Sequence, residues 1–259
     1  PNITREDCDA LMDAAMQPLT EQWREQAIGD SARARAEGRR YIHVCKRVAW
    51  AFTKGAAQSS FRPQYGEVAF GYPGGPPPLT LNLSDGTKVS VRGRIDRIDR
   101  FDSGKSVYLR VVDYKSSAQK LDPARINIGM QLQLLLYLEA ALAGDRDALP
   151  AGAFYQWMGD PLVDQDKQSM IESELAKRLC LKGVMLSDVQ VAQWMDASQP
   201  PVSIENVFNK DGSPKKGKLV CTLDELYRLI ERAHRTAVRL TEEIRGGGIN
   251  AAPVCERGE

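Results

Sequence analysis

The chain has 259 residues, with 35 Lys and Arg against 34 Asp and Glu, 42% hydrophobic and 27% charged. That balance excludes a disordered tail, and the length suffices for one large or two modest domains with a sizeable core. A formal net charge of +1 excludes bulk cationic attraction, so any binding of a polyanion has to come from a local patch.

From Thr4 to about Phe52 the residues favour helix, with Thr4 and Asp7 at capping-box spacing and a second start at Ser31. Two helices are therefore predicted over residues 1–60 as a lead-in to a domain spanning 61–259. Phe61 to Gly71 turns extended, and Gly71-Tyr-Pro-Gly-Gly-Pro-Pro-Pro78 reads as a surface loop inside that domain. Leu79, Leu81 and Leu83 alternate with polar residues, Ser84-Asp-Gly86 signals a turn, and Val89 and Val91 resume the alternation. The second strand of this hairpin is expected to continue through Arg94-Ile-Asp-Arg-Ile-Asp99. After a turn at Asp102-Ser-Gly104, Val107 to Asp113 is β-rich, so three strands in meander order are predicted.

Gly129 to Leu142 suits a mostly buried helix and Ala151 to Trp157 one further strand. Gln165 to Leu181 and Val189 to Met195 are read as helices. Thr222 and Glu225 form a capping box ahead of Leu226, Ile230, Ala233, Ala237, Leu240 and Ile244, and Gly246-Gly-Gly248 ends that last helix.

No stretch approaches the roughly 18 apolar residues of a membrane span, and the first residues lack a basic region followed by an apolar one. A cytoplasmic protein with no membrane partner is predicted. The five cysteines, Cys8, Cys45, Cys180, Cys221 and Cys255, are scattered without a CxxC pair, which argues against a disulfide framework or a self-contained zinc site. Because the first residue is not Met, the chain is expected to be a piece of a longer polypeptide.

The stretch that carries chemistry runs from Gly93 to Lys115. On a strand, residues two apart share a face, so Asp113 and Lys115 point the same way. If Asp96 pairs opposite Val111, it joins that face as a diagonal neighbour of Asp113, within reach of a common cation. Two adjacent carboxylates repel unless a divalent ion lies between them, and oxygen-only ligands suit Mg²⁺ or Mn²⁺. An isolated Asp-x-Lys is more often a surface ion pair. Here it follows Val111-Val112 at a strand end, where ligand groups collect in α/β sheets. On the competing reading, Asp96, Asp99 and Asp102 are solvated strand and turn residues.

These residues occur in the order Phe61-Arg-Pro63, Glu67, Phe70-Gly71, Gly93-Arg-Ile-Asp-Arg-Ile-Asp99, Val112-Asp-Tyr-Lys-Ser-Ser117, Gly129-Met-Gln-Leu-Gln-Leu-Leu-Leu-Tyr137 and Pro150-Ala-Gly-Ala-Phe-Tyr155. In that order the chain resembles the PD-(D/E)xK nucleases, and within them the C-terminal nuclease domains of the AddB component of AddAB-type helicase-nucleases. The resemblance implies an α/β fold with a restriction-endonuclease-like core, a mixed β-sheet flanked by helices. It implies a Mg²⁺- or Mn²⁺-dependent deoxyribonuclease acting exonucleolytically on a single-stranded DNA end, beside an AddA-type partner subunit, in double-strand-break repair by recombination. Asp96, Asp113 and the backbone carbonyl of Tyr114 would be metal ligands, Lys115 the catalytic lysine, and Gln133 and Tyr137 the family's Gln-x-x-x-Tyr helix.

Two features depart from the family. Its further His ligand lies in a Gly-x-x-His helix, a pattern His43 does not match, so neither His43 nor His234 is assigned a role and that ligand is expected to precede Pro1. The family's [4Fe-4S] cluster needs four thiolates, and only Cys255 follows the last helix, so a cluster is expected in the parent but not in this chain. Glu67 occupies the family's acidic position on the first strand and ranks below the other candidates. Arg92, Arg94, Arg97 and Arg100, with Lys215, Lys216 and Lys218, are candidate phosphate contacts, and Phe61, Tyr65 and Tyr72 candidate stacking residues. No Walker A motif occurs, so ATP-driven unwinding would belong elsewhere. The alternatives are a catalytically silent DNA-binding or scaffold subunit and a standalone single-strand exonuclease of the Cas4 type.

Overall fold

The structure, a computed structural model, describes residues 3–25, 31–161 and 171–248. The lead-in is the two expected helices, α1 (Arg5–Glu25) and α2 (Ala32–Gln58), the second capped by the Ser31 side chain and running past the predicted end at Phe52. Then come strands β1 (Arg62–Phe70), β2 (Leu79–Asn82), β3 (Lys88–Val91), β4 (Gly93–Asp102) and β5 (Val107–Lys115). A short helix α3 (Pro123–Asn127) and helix α4 (Gln133–Gly144) lead to β6 (Ala148–Trp157). The rest comprises α5 (Ile171–Leu179), β7 (Lys182–Leu186), α6 (Val189–Met195), β8 (Val220–Cys221) and α7 (Leu223–Arg245).

Six strands form a mixed sheet in the order β1-β4-β5-β6-β7-β8, with β5/β6 and β7/β8 parallel and the other pairs antiparallel. The predicted three-strand meander does not form. β2 and β3 make a separate two-stranded sheet, and the chain changes sheets at Arg92-Gly93 so that β4 pairs with β1 instead. A side chain at Gly93 would come within 2.7 Å of the Phe70 ring, so only glycine lets β4 pass its partner at that corner.

One face of the sheet packs against α4 and α7 through Ile95, Ile98, Leu109, Val111, Leu134, Leu138, Leu226 and Ile230. Leu226, Leu229, Ile230, Ala233 and Ala237 step along α7 by three and four and are buried, and the Thr222–Glu225 capping box is fully formed. The opposite face packs Val112, Phe154 and Met185 against Val191 and Met195 of α6, while Phe52 of α2 stacks on Tyr114 with ring centroids 5.8 Å apart. The helix expected from Gly129 begins only at Gln133; Gly129 itself sits at φ 85, in a turn. Of the helix predicted over Gln165 to Leu181, residues 165–170 lie outside the described residues, and α5 occupies Ile171–Leu179. No helix among the described residues is long and apolar enough to cross a membrane.

Candidate active site

Strand alternation on β5 sends Leu109, Val111 and Asp113 toward α4 and turns Arg110, Val112 and Tyr114 to the other face. Asp113 and Lys115 therefore end a row whose earlier members are core, and Asp113 is only 2% exposed. The Lys115 ammonium lies 2.6 Å from Asp113 Oδ2 and donates to Gln133 Oε1 at 2.8 Å. Gln133 Nε2 in turn donates to the Tyr137 hydroxyl at 2.8 Å, and the Tyr137 ring meets Phe70 edge-on. The four-residue spacing on α4 thus does what helical geometry allows: two side chains on one face form a relay that fixes the lysine.

Asp96 reaches the same place by a different register from the expected one. Val111 pairs with Ile98, not Asp96, and the β4–β5 ladder ends at Arg97 opposite Val112. Where the next rung would fall, Asp96 Oδ2 accepts the backbone N–H of Tyr114 at 2.7 Å. The two-residue difference preserves parity, which is why Asp96 still comes near Asp113. Ile95 and Ile98 both enter the core under α4, which strict alternation forbids, so β4 turns irregular between them at Asp96-Arg97. On the neighbouring strand Gly66 pairs Arg97 and Val68 pairs Ile95 in unbroken register, and Glu67 between them has φ 52. A left-handed backbone at a non-glycine costs about 1–2 kcal/mol, so surrounding contacts must enforce it.

Burial pushes the Asp113 carboxyl above its usual range, opposed by Lys115 and reinforced by Asp96. Tyr155, its partner on β6, is pushed up to about 12 by burial and then by the charge of Asp113. Asp113 Oδ2 is buried with the Lys115 ammonium 2.6 Å away and a second carboxylate, Asp96, nearby. Two neighbouring carboxylates, one of them buried, fit a hard divalent cation. Among the described residues no group of three or more His, Cys, Asp or Glu side chains converges. An ion held here would take Asp96, Asp113, the Tyr114 carbonyl and water, the few-carboxylate style in which Mg²⁺ keeps part of its hydration.

The remaining candidates separate. Asp99, solvated on the competing reading, is 1% exposed and faces the opposite side, where it accepts from Arg97 Nη2 at 3.0 Å and from Arg110 Nε at 2.8 Å. Arg97 is thereby paired with Asp99 on the face turned away from Asp113; only the true β4–β5 register reveals this. Arg94 pairs with Glu67, Arg100 with Asp145 and Lys218 with Glu205, while Arg92 covers the Tyr72 ring. Phe61 is buried core, whereas Tyr65 and Tyr72 are exposed. His43 is exposed on α2 next to Arg47, and His234 pairs with Glu139 of α4 at 2.8 Å. Cys8, Cys180 and Cys221 are buried and Cys45 is half-buried; Cys255 lies outside the described residues.

The profile of the PD-(D/E)XK nuclease superfamily matches residues 2–257. The chain belongs to this superfamily. It is 32% identical over 261 residues to the B subunit of the ATP-dependent helicase/deoxyribonuclease of Thermoanaerobacter sp. (strain X514), covering 97% of this chain and 23% of that protein. Proteins of the same name from Clostridium tetani (strain Massachusetts / E88) and Bacillus subtilis (strain 168) are each 31% identical, again over 97% of this chain and 23% of theirs. The chain thus spans about a quarter of the length of the relatives it matches, and the mixed sheet flanked by helices is the α/β fold the motifs implied.

Proposed function

We propose that this superfamily member is a divalent-metal-dependent deoxyribonuclease, with Asp96, Asp113 and the Tyr114 carbonyl as ligands for Mg²⁺ or Mn²⁺ and Lys115 as the catalytic lysine. The observation that carries the reading is the end of β5. There a buried, destabilised carboxylate is joined to a lysine whose position is fixed by Gln133 and Tyr137, beside a second carboxylate pinned to the Tyr114 N–H. A divalent ion supplies polarisation of the scissile phosphate and a lowered pKa for the attacking water. The protein's own groups do the rest. Lys115 offsets the negative charge that grows on the phosphate as water attacks. Gln133 accepts one ammonium hydrogen and holds the amine toward Asp113, and Tyr137 fixes the Gln133 amide. The Asp113 carboxylate, raised by burial, is eased by a cation beside it.

Residues 61–259 are taken as the nuclease domain and 1–60 as its helical lead-in. The relatives' printed name supports a larger subunit of a helicase-nuclease. On that basis we read the substrate as a single-stranded DNA end, the action as exonucleolytic, the partner as an AddA-type helicase subunit and the role as double-strand-break repair by recombination in the cytoplasm. Incubating labelled single- and double-stranded DNA with Mg²⁺, Mn²⁺ or EDTA tests it. The expected result is metal-dependent cleavage that falls about a hundredfold or more in both Asp113→Ala and Lys115→Ala. Retained DNA binding with no cleavage by the wild type under any metal, whether in this chain or in the full-length protein, establishes the scaffold alternative instead.

A further inference from the structure

Behind the candidate active site, on the opposite face of the sheet, a cavity of about 500 Å³ opens between α2, α5 and strands β4, β5 and β6. Trp50, Phe52, Phe61 and Tyr114 contribute aromatic lining, and Arg97 and Arg110 line it beside them. The Arg97 guanidinium lies over the Phe52 ring at 5.3 Å and that of Arg110 over Phe61 at 4.9 Å. Guanidinium planes stacked on aromatic rings are suited to a flat, anionic ligand, because the guanidinium is weakly hydrated and binds anions through a planar fork.

The charge count points the same way. Two guanidiniums share one carboxylate, that of Asp99. Asp196 also attracts Arg110, but its oxygens already accept from Ser198, Val202 and Ser203. Arg47 at the rim is matched by Asp160 and adds no net charge. Arg110 is 5% exposed, and its Nη1 is buried with no hydrogen-bond partner. Burying an unpaired donor of a charged group is costly, and native proteins keep few of them. The volume falls in the range of small-molecule sites.

We propose that this cavity is a second ligand site for a small aromatic anion, a deoxynucleoside monophosphate, with the base among the aromatic walls and the phosphate directed to Arg97 and Arg110. The choice of that compound rests on the nuclease reading, since hydrolysis of DNA to its ends yields it; the aromatic-anion chemistry does not. The site is coupled to the first by a single residue. Tyr114 lines the cavity with its ring and donates its backbone N–H to Asp96.

Calorimetric titration of the protein in EDTA, where the Asp96–Asp113 centre binds no divalent ion, with deoxyadenosine monophosphate, deoxyadenosine and inorganic phosphate tests the proposal without reference to cleavage. Saturable binding of the monophosphate, roughly ten- to a hundredfold tighter than the nucleoside, is expected. Ala51→Trp, which fills the cavity from α2 without removing a charged group, is expected to weaken it at least about tenfold. Arg97→Gln is expected to weaken the monophosphate by a similar factor and leave the nucleoside unchanged. Absence of saturable binding at millimolar monophosphate, equal binding of nucleoside and monophosphate, or unchanged binding in a folded Ala51→Trp protein overturns the assignment. These outcomes are independent of the cleavage assay, so the nuclease reading and this one fail separately.

Discussion

The β4–β5 hairpin carries an acid-and-base cluster on each face, and the two are built to opposite ends. On one face Asp99 is held between Arg97 and Arg110 and is wholly buried. On the other, Asp113 is nearly as buried, yet its Oδ2 has only the Lys115 charge beside it and a second carboxylate nearby. The same residue types on the same two strands therefore yield one acid that the fold stabilises and one that it does not. A buried carboxylate flanked by two guanidiniums serves the architecture. A buried carboxylate with one ammonium and a like charge beside it is poised to take a cation.

The sharpest break between the faces is in stability. Asp99→Ala leaves two buried guanidiniums without their carboxylate and is expected to destabilise the protein by about 3–5 kcal/mol. Asp113→Ala, which removes a destabilised charge, is expected to cost far less. Parallel chemical denaturation curves in EDTA check this, and equal losses at both positions would remove the distinction drawn between them. Activity should reverse the order. Lys115→Ala is expected to lower cleavage by about a hundredfold or more with a near-normal melting temperature. Gln133→Leu frees the lysine without removing it and is expected to lower cleavage by roughly tenfold; Tyr137→Phe, one step further along the relay, should do so by less. Single-turnover rates rank these three, and a Tyr137→Phe loss as deep as that of Lys115→Ala would mean that the hydroxyl acts on the substrate directly.

Much of this is legible in the chain itself, for identifiable reasons. The Asp113-x-Lys115 pair is local, and strand alternation fixes its common face whatever the rest does. Gln133 and Tyr137 are likewise fixed by helical spacing. Parity alone brings Asp96 to the site but gives it the wrong partner, because the β4–β5 register, with Ile98 opposite Val111, leaves no periodic signal. The same register error hides Asp99. With Ile98 opposite Val111, Arg97, Asp99 and Arg110 fall on one face, and a sequence that alternates Arg and Asp ceases to read as a solvated strand. The sheet order escapes the sequence at Gly93, where hydrophobic alternation continues unbroken from β3 into β4 although the chain leaves one sheet for another. The two short strands β7 and β8 pair only with distant segments, so no local pattern announces them.

The smallest expected effect is the response of Asp113 to pH. The Asp113 carboxyl is raised in the folded protein by burial, then by Asp96, against the pull of Lys115. A group whose folded pKa lies above its unfolded value binds more protons when folded, so its ionisation lowers stability as pH rises from the ordinary carboxylate range through the raised value. Asp113→Asn mimics the protonated form. In EDTA the variant is therefore expected to melt above the wild type at neutral pH, with the gap closing as pH falls toward the ordinary carboxylate range. Mg²⁺ should narrow the same gap from the other side, by stabilising the wild type and not the variant. Melting temperatures across pH with EDTA or Mg²⁺ measure all of this. A gap that widens toward acid, or one that Mg²⁺ leaves unchanged, would show that Asp113 is an ordinary buried ion pair like Asp99 on the other face.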